Sequence, residues 1–301
     1  MSDFVVVSTA VTDDIKLANG KTIGRHLGGA GIYALSGIRL WTESVVLVTG
    51  VGEEFERDYG GWFLNNACKM DGLFVKDKHT AVSCVTYLED GEREETPLYG
   101  SEHYLRLEAT PEEFESFVKD AKGVYIFKDT NAAYWQKTLA LKKKYGFCLE
   151  WEINASAATR ENCEMVQKIA SQCDIFSLNK REAFALLDVD QLDQAIEILS
   201  KWPVPAIYLR VGRDGAIVIS NNQVLQIPSV RGITAVDPTG AGNSSTSGFL
   251  YGWCRNESPT LCGIRGSVSA AHCITQYGPP SFTEELSHRA AAEAAAMQQE
   301  V

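Results

Sequence analysis

Apolar positions along the chain fall into short, β-branched runs separated by stretches with helical spacing. Residues 4–11 read as a buried strand, closed by Thr12, Asp13 and Asp14 at the end where an open α/β sheet holds ligands. Residues 45–50 and 73–75 repeat that strand character around a helical stretch at 54–68. Further strands are predicted at 123–127, 147–150, 174–178, 206–211, 216–220 and 223–228, with a helix over 131–144 between the first two. Thr110-Pro111-Glu112-Glu113 has the form of a capping box with proline at the first helical position, a structural helix start. The alanine-rich 284–301 reads as a terminal helix with a frayed end. Such alternation predicts an α/β chain around a mostly parallel sheet.

Two places interrupt the alternation. Asn19-Gly20 lies between short alternating segments, and Asp90-Gly91 separates residues 80–89 from 92–99; both read as hairpin turns. Between the first hairpin and the next helix stands Leu27-Gly28-Gly29-Ala30-Gly31, where Gly29, Gly31 and Ala34 formally satisfy a dinucleotide fingerprint. That fingerprint must follow the first strand directly, and here a hairpin intervenes, so NAD is rejected.

With 301 residues, 45% of them hydrophobic, the chain is large enough for one main domain. The formal charge of −11 comes without a basic stripe, which argues against nucleic acid and anionic membrane as partners. No apolar stretch has the length of a membrane span and no basic lead opens a secretory signal, so a cytoplasmic protein is expected. Eight scattered cysteines suggest neither a zinc site nor a disulfide framework, and read as reduced thiols.

The stretch with the most chemical content is Asp237-Pro238-Thr239-Gly240-Ala241-Gly242-Asn243-Ser244, running into a helix. Glycines on both sides of an alanine permit a tight turn whose N–H groups converge, and a helix starting there adds its positive dipole end. The residues suit an anion, most simply a phosphate, and equally a plain turn and cap. Asn179 and Glu182 stand three apart at a helix start, which a capping box explains without any ligand. Gly212 and Gly215 suit either a hairpin turn or a close approach by a nucleotide. Glu150 and Glu152 read as exposed acids after a strand, with a role toward substrate or metal as the alternative.

Taken together these motifs resemble the ribokinase-like (PfkB) carbohydrate kinases, whose signature Asp-Thr-x-Gly-Ala-Gly-Asp is matched at Asp237, Thr239, Gly240, Ala241 and Gly242. The resemblance spans nearly the whole chain and implies a three-layer α/β/α fold with a mostly parallel central sheet. Insertions at about 12–27 and 80–100 would form a small β-lid, with exposed edges that a second subunit could cover. It implies ATP-dependent phosphorylation of a hydroxymethyl group on a sugar or sugar-like molecule, with Mg2+ and a possible K+ requirement. Asp13, Gly28 and Gly29 fall on substrate positions, Asn179, Gly212, Gly215 and Gly278 on nucleotide positions. By the same resemblance Gly240, Ala241 and Gly242 would form the anion hole, Glu182 would hold magnesium through water, and Asp237 with Thr239 matches a monovalent-cation position. The pattern departs from the family at Val11, at Tyr33 and above all at Asn243, which stands where the family has its catalytic aspartate. An amide has no useful basicity. The alternatives are therefore a nucleoside kinase and a non-catalytic sugar or nucleotide sensor that kept the pocket.

Overall fold

The computed structural model describes residues 2–88 and 93–300. Strand β1 (Phe4–Val7) shows how the sequence builds the centre: Val5 and Val7 join one apolar cluster while Phe4 and Val6 join another on the opposite face. Both faces of the strand are covered, which is why the run is continuously apolar rather than alternating. The chain then crosses to a small sheet through β2 (Val11–Lys16) and β3 (Thr22–Gly28) before returning to β4 (Val45–Gly52) and β5 (Leu73–Asp77). A second excursion supplies β6 (Ala81–Tyr87) and β7 (Arg93–Pro97). The rest of the large sheet is β8 (Gly123–Lys128), β9 (Cys148–Ile153), β10 (Ile175–Asn179), β11 (Ala206–Arg210), β12 (Ala216–Ser220) and β13 (Gln223–Ile227).

The nine-stranded sheet runs β13-β12-β11-β10-β9-β8-β1-β4-β5. It is parallel from β11 to β5, with β12 and β13 added antiparallel at one edge. Helices cover both faces. Trp135 on the helix Ala132–Tyr145 and Leu186 on Lys180–Leu187 pack on one side; Leu35 on Ala30–Arg39, Phe249 on Ala241–Cys254 and Val268 on Pro259–Cys273 pack on the other. This is the ribokinase-like three-layer α/β/α arrangement the resemblance implied.

The small sheet has the order β3-β2-β6-β7, with β2 and β6 parallel and both outer pairs antiparallel. It draws its strands from the two expected insertions. Gly20 turns the first hairpin in a left-handed conformation; the Asp90-Gly91 turn lies outside the described residues.

Two expectations need correction. The apolar run 4–11 is not one strand: β1 stops at Val7, and Val11 opens β2. The carbonyl of Thr9 accepts from the N–H of Gly31 at 2.8 Å, so the chain leaves the large sheet there to meet the next helix. Asp13 and Asp14 therefore lie inside a strand rather than in a turn. Glu150 and Glu152 are not exposed either; both are buried within β9, at 0% and 2% exposure.

Candidate active site

The C-terminal ends of the parallel strands open on one cleft of about 1560 Å³, which the small sheet borders. Its walls bring together Asp13, Gly29, Tyr33, Glu152, Asn179, Glu182, Arg210, Gly212, Gly215 and the run from Thr239 to Asn243. Gly28 stands just behind, where a Cβ would overlap the carboxylate of Asp13. Gly278 is not in the wall. It lies against His26 and Leu27 of β3, while Ala270, Ala271 and Ile274 from the preceding helix take the wall position.

The glycine turn is positioned by a buried carboxylate. Asp237 Oδ1 accepts from the Thr239 N–H at 2.8 Å and from the Tyr87 hydroxyl of β6 at 2.6 Å. Its Oδ2 is buried with no hydrogen-bond partner among the described residues, an orphaned charge that fits a monovalent cation. Gly240 then takes φ 78°, a left-handed conformation that caps the helix Ala241–Cys254 and turns its first N–H groups to the cleft. The Ala241 N–H donates to the Pro238 carbonyl at 3.3 Å, while those of Gly242 and Asn243 have no acceptor inside the helix, and the dipole favours an anion there. The ring of Tyr33 fills the space where a Cβ on Gly240 would project.

Behind the turn lies a charged network. The amide Nδ2 of Asn243 donates to Glu152 Oε1 at 3.1 Å and to the Tyr125 hydroxyl at 3.2 Å, while that hydroxyl donates to Glu152 Oε2 at 2.6 Å. Every proton in this triangle has an acceptor when residue 243 is an amide. Arg210 closes the other side, 2.8 Å from Glu152 Oε1 and 3.5 Å from Glu182 Oε2. Burial works against the Arg210 charge, and Glu152 with Glu182 more than offsets it. Burial also lifts the Glu182 carboxyl above its ordinary range, with Arg210 pulling the other way. Tyr125 is pushed far up by burial and then by Glu152, so it is no base near neutral pH. Glu150, deeper in β9, is pushed up by burial first and Glu152 second.

Asn179 and Glu182 do form the expected capping box: the Asn179 N–H donates to Glu182 Oε2 at 2.7 Å and the Glu182 N–H to Asn179 Oδ1 at 2.9 Å. Structural cap and cleft residue are thus the same pair. Among the described residues no group of three or more His, Cys, Asp or Glu side chains could hold a metal. At the turn, Glu152 and Glu182 have the Arg210 guanidinium between them and do not fit a divalent cation coordinated directly by both carboxylates.

The profile of the pfkB family carbohydrate kinases matches residues 2–285 of the chain. The chain belongs to that family. A cytidine kinase from Thermococcus kodakarensis is 23% identical, over 94% of this chain and 100% of its own length. Among solved structures, an adenosine kinase from Sinorhizobium meliloti superposes with a TM-score of 0.77 at 18% identity, covering 100% of this chain and 99% of that one. An E. coli protein described as a ribokinase II, solved with ATP and Mg2+, reaches 0.78 at 17% identity over the full length of both. At those identities the structural likeness shows the fold alone. Sugar and nucleoside kinases of the pfkB family use ATP with Mg2+.

Sequence reasoning missed several cleft residues of this pfkB-family chain. Arg210 left one faint signal, a charged residue ending an otherwise apolar strand just before the glycine turn at Gly212. Tyr125 and Tyr87, which stand behind the wall and hold Glu152 and Asp237, left none, since a tyrosine in a strand usually means packing alone.

Proposed function

We propose that this chain transfers the terminal phosphoryl group of ATP to the hydroxymethyl group of a sugar or nucleoside. The observation that carries the reading is one cleft whose wall holds both the helix start at Gly240–Asn243, suited to a phosphate, and the carboxylate of Asp13, suited to a polyol. The acceptor oxygen forms a bond to the phosphorus as the bond to the ADP oxygen breaks, and the hydroxyl proton passes late to an oxygen of the transferred phosphoryl group. Turn amides and the helix dipole stabilise the charge on the transferring group, which is most of what a loose phosphoryl transfer asks of a protein. Asn243 orients the acceptor hydroxyl through its Oδ1 and takes no proton. Turnover therefore runs about 10²–10⁴-fold below that of a site with a working base.

The small sheet serves as a lid over the acceptor, and the unpaired edge of β3 offers a place for a second copy. A monovalent cation, potassium by charge and availability, sits at the orphaned Asp237 Oδ2 beside Thr239. A nucleoside is the favoured acceptor: Tyr104 and Leu105 give the cleft apolar surface, and the cytidine kinase relative acts on such a molecule. The experiment is ADP release against a panel of nucleosides and sugars, with the product identified by mass. If no acceptor is turned over while ATP still raises the melting temperature, the protein is a sensor rather than an enzyme.

Asp13→Ala should lower kcat/KM for the acceptor by about 10²-fold and leave the Kd for ATP within about threefold, because hydrogen bonds to a charged group are lost only on the acceptor side. Equal losses for both ligands would place Asp13 elsewhere. Asn243→Asp sets a second carboxylate against Glu152 Oε1, so the pKa of the new acid is raised and it becomes a base only as pH climbs. Turnover of this variant should rise about tenfold or more between mildly acid and mildly alkaline buffer. A flat pH profile at wild-type turnover, with the fold intact, would mean that proton removal is not what limits the reaction.

A further inference from the structure

The Arg210 guanidinium lies between two carboxylates, 2.8 Å from Glu152 and 3.5 Å from Glu182, and the three side chains are 12%, 3% and 10% exposed. Neither carboxylate is free to turn away. Glu152 is fixed from behind by Tyr125 and Asn243, and Glu182 by the N–H of Asn179. The guanidinium is also wedged against the glycine turn, since a Cβ on Gly242 would overlap Nη1. Its Nε and Nη2 find no hydrogen-bond acceptor among the described residues, so the contact with Glu182 is an ion pair and the group is placed by charge and confinement rather than by a full set of hydrogen bonds.

A cation shared by two acids beside a phosphate-binding turn is the position in which phosphoryl-transfer enzymes place a divalent metal. Magnesium needs near-octahedral oxygen ligands at about 2.0–2.1 Å, and carboxylates already engaged by a guanidinium cannot provide them. An arginine, unlike a bound ion, keeps its charge at every working pH and cannot dissociate. We propose that Arg210 is a built-in replacement for a protein-held divalent cation: it neutralises Glu152 and Glu182 permanently, and any Mg2+ in the reaction rides on the nucleotide phosphates alone. This rests on the kinase reading for its meaning, but not for its test.

Mn2+ alone, followed through loss of the free-ion paramagnetic resonance signal, is titrated into the full-length protein without nucleotide. The same titration is made on Arg210→Thr and on the double variant Arg210→Thr/Glu182→Gln. The wild type should retain no ion up to about 1 mM, Arg210→Thr should bind one at least about tenfold tighter, and the double variant should lose it again. A folded Arg210→Thr that binds no better than wild type overturns the proposal. So does a wild type that binds Mn2+ tightly and loses it on Glu182→Gln, and this arm decides by itself should the threonine variant not fold. Failure of Mg2+ with ADP to raise the wild-type melting temperature would instead count against the kinase reading, whatever the Mn2+ titration shows.

Discussion

Replacing Gly240 by alanine is expected to abolish ATP-dependent turnover and to lower the melting temperature by several degrees. Two penalties combine. The left-handed backbone at φ 78° disfavours any L side chain by roughly 1–2 kcal/mol. The new methyl also overlaps the ring of Tyr33, which is only 2% exposed. Such overpacking adds about 1–3 kcal/mol. Relief requires the turn to move, and displaced donors lose about 10²–10³-fold in rate for each one that no longer meets the developing charge. Gly232→Ala is the control. Its φ of 76° gives the same backbone strain, but the added methyl meets nothing within 4 Å and the residue lies outside the cleft. That variant should lose a little stability and keep its turnover. Equal damage from both would mean that strain alone, rather than placement of the turn, sets the activity.

The second large effect falls on stability and depends on pH. Arg210→Met leaves Glu152 and Glu182 buried together without their shared cation, a loss of about 3–5 kcal/mol at neutral pH. Burial already raises the Glu182 carboxyl and Arg210 opposes that rise, so removing Arg210 sends it higher. A carboxyl whose folded pKa lies above its unfolded value binds more protons in the native state, and stability then falls as pH rises. The gap between variant and wild type should be widest above neutrality and narrow as pH falls through the raised value. Melting curves across mildly acid to alkaline buffer read this directly, and a gap independent of pH would show the loss to be one of packing.

Much of the fold was legible because its signals are local. The doubly covered β1 demanded a continuous apolar run, Thr110 and Glu113 spelled a reciprocal cap, and Asn19-Gly20 spelled a hairpin; each appears as expected. The end of β1 was not legible, since Val11 is apolar in both settings and only the Gly31 N–H claiming the Thr9 carbonyl ends the strand. In the cleft, turn and cap residues carry their geometry in their own identity, so Gly240 and Asn179 could be named beforehand. Glu152, Tyr125 and Arg210 could not. Their meaning comes from meeting across β9, β8 and β11, and charge alone made Glu152 look like a surface acid. Asn243 shows the same limit: its amide looked like a lost base, whereas the structure shows its protons matched to Glu152 and Tyr125.

The central claim concerns where the nucleotide's phosphates go. A crystal structure with a non-hydrolysable ATP analogue and Mg2+ should place the terminal phosphate within hydrogen-bonding distance of the N–H groups at Gly242 and Asn243, facing Asp13 across the cleft. A nucleotide bound elsewhere, or lying here with its phosphates turned away from that helix start, would contradict the account.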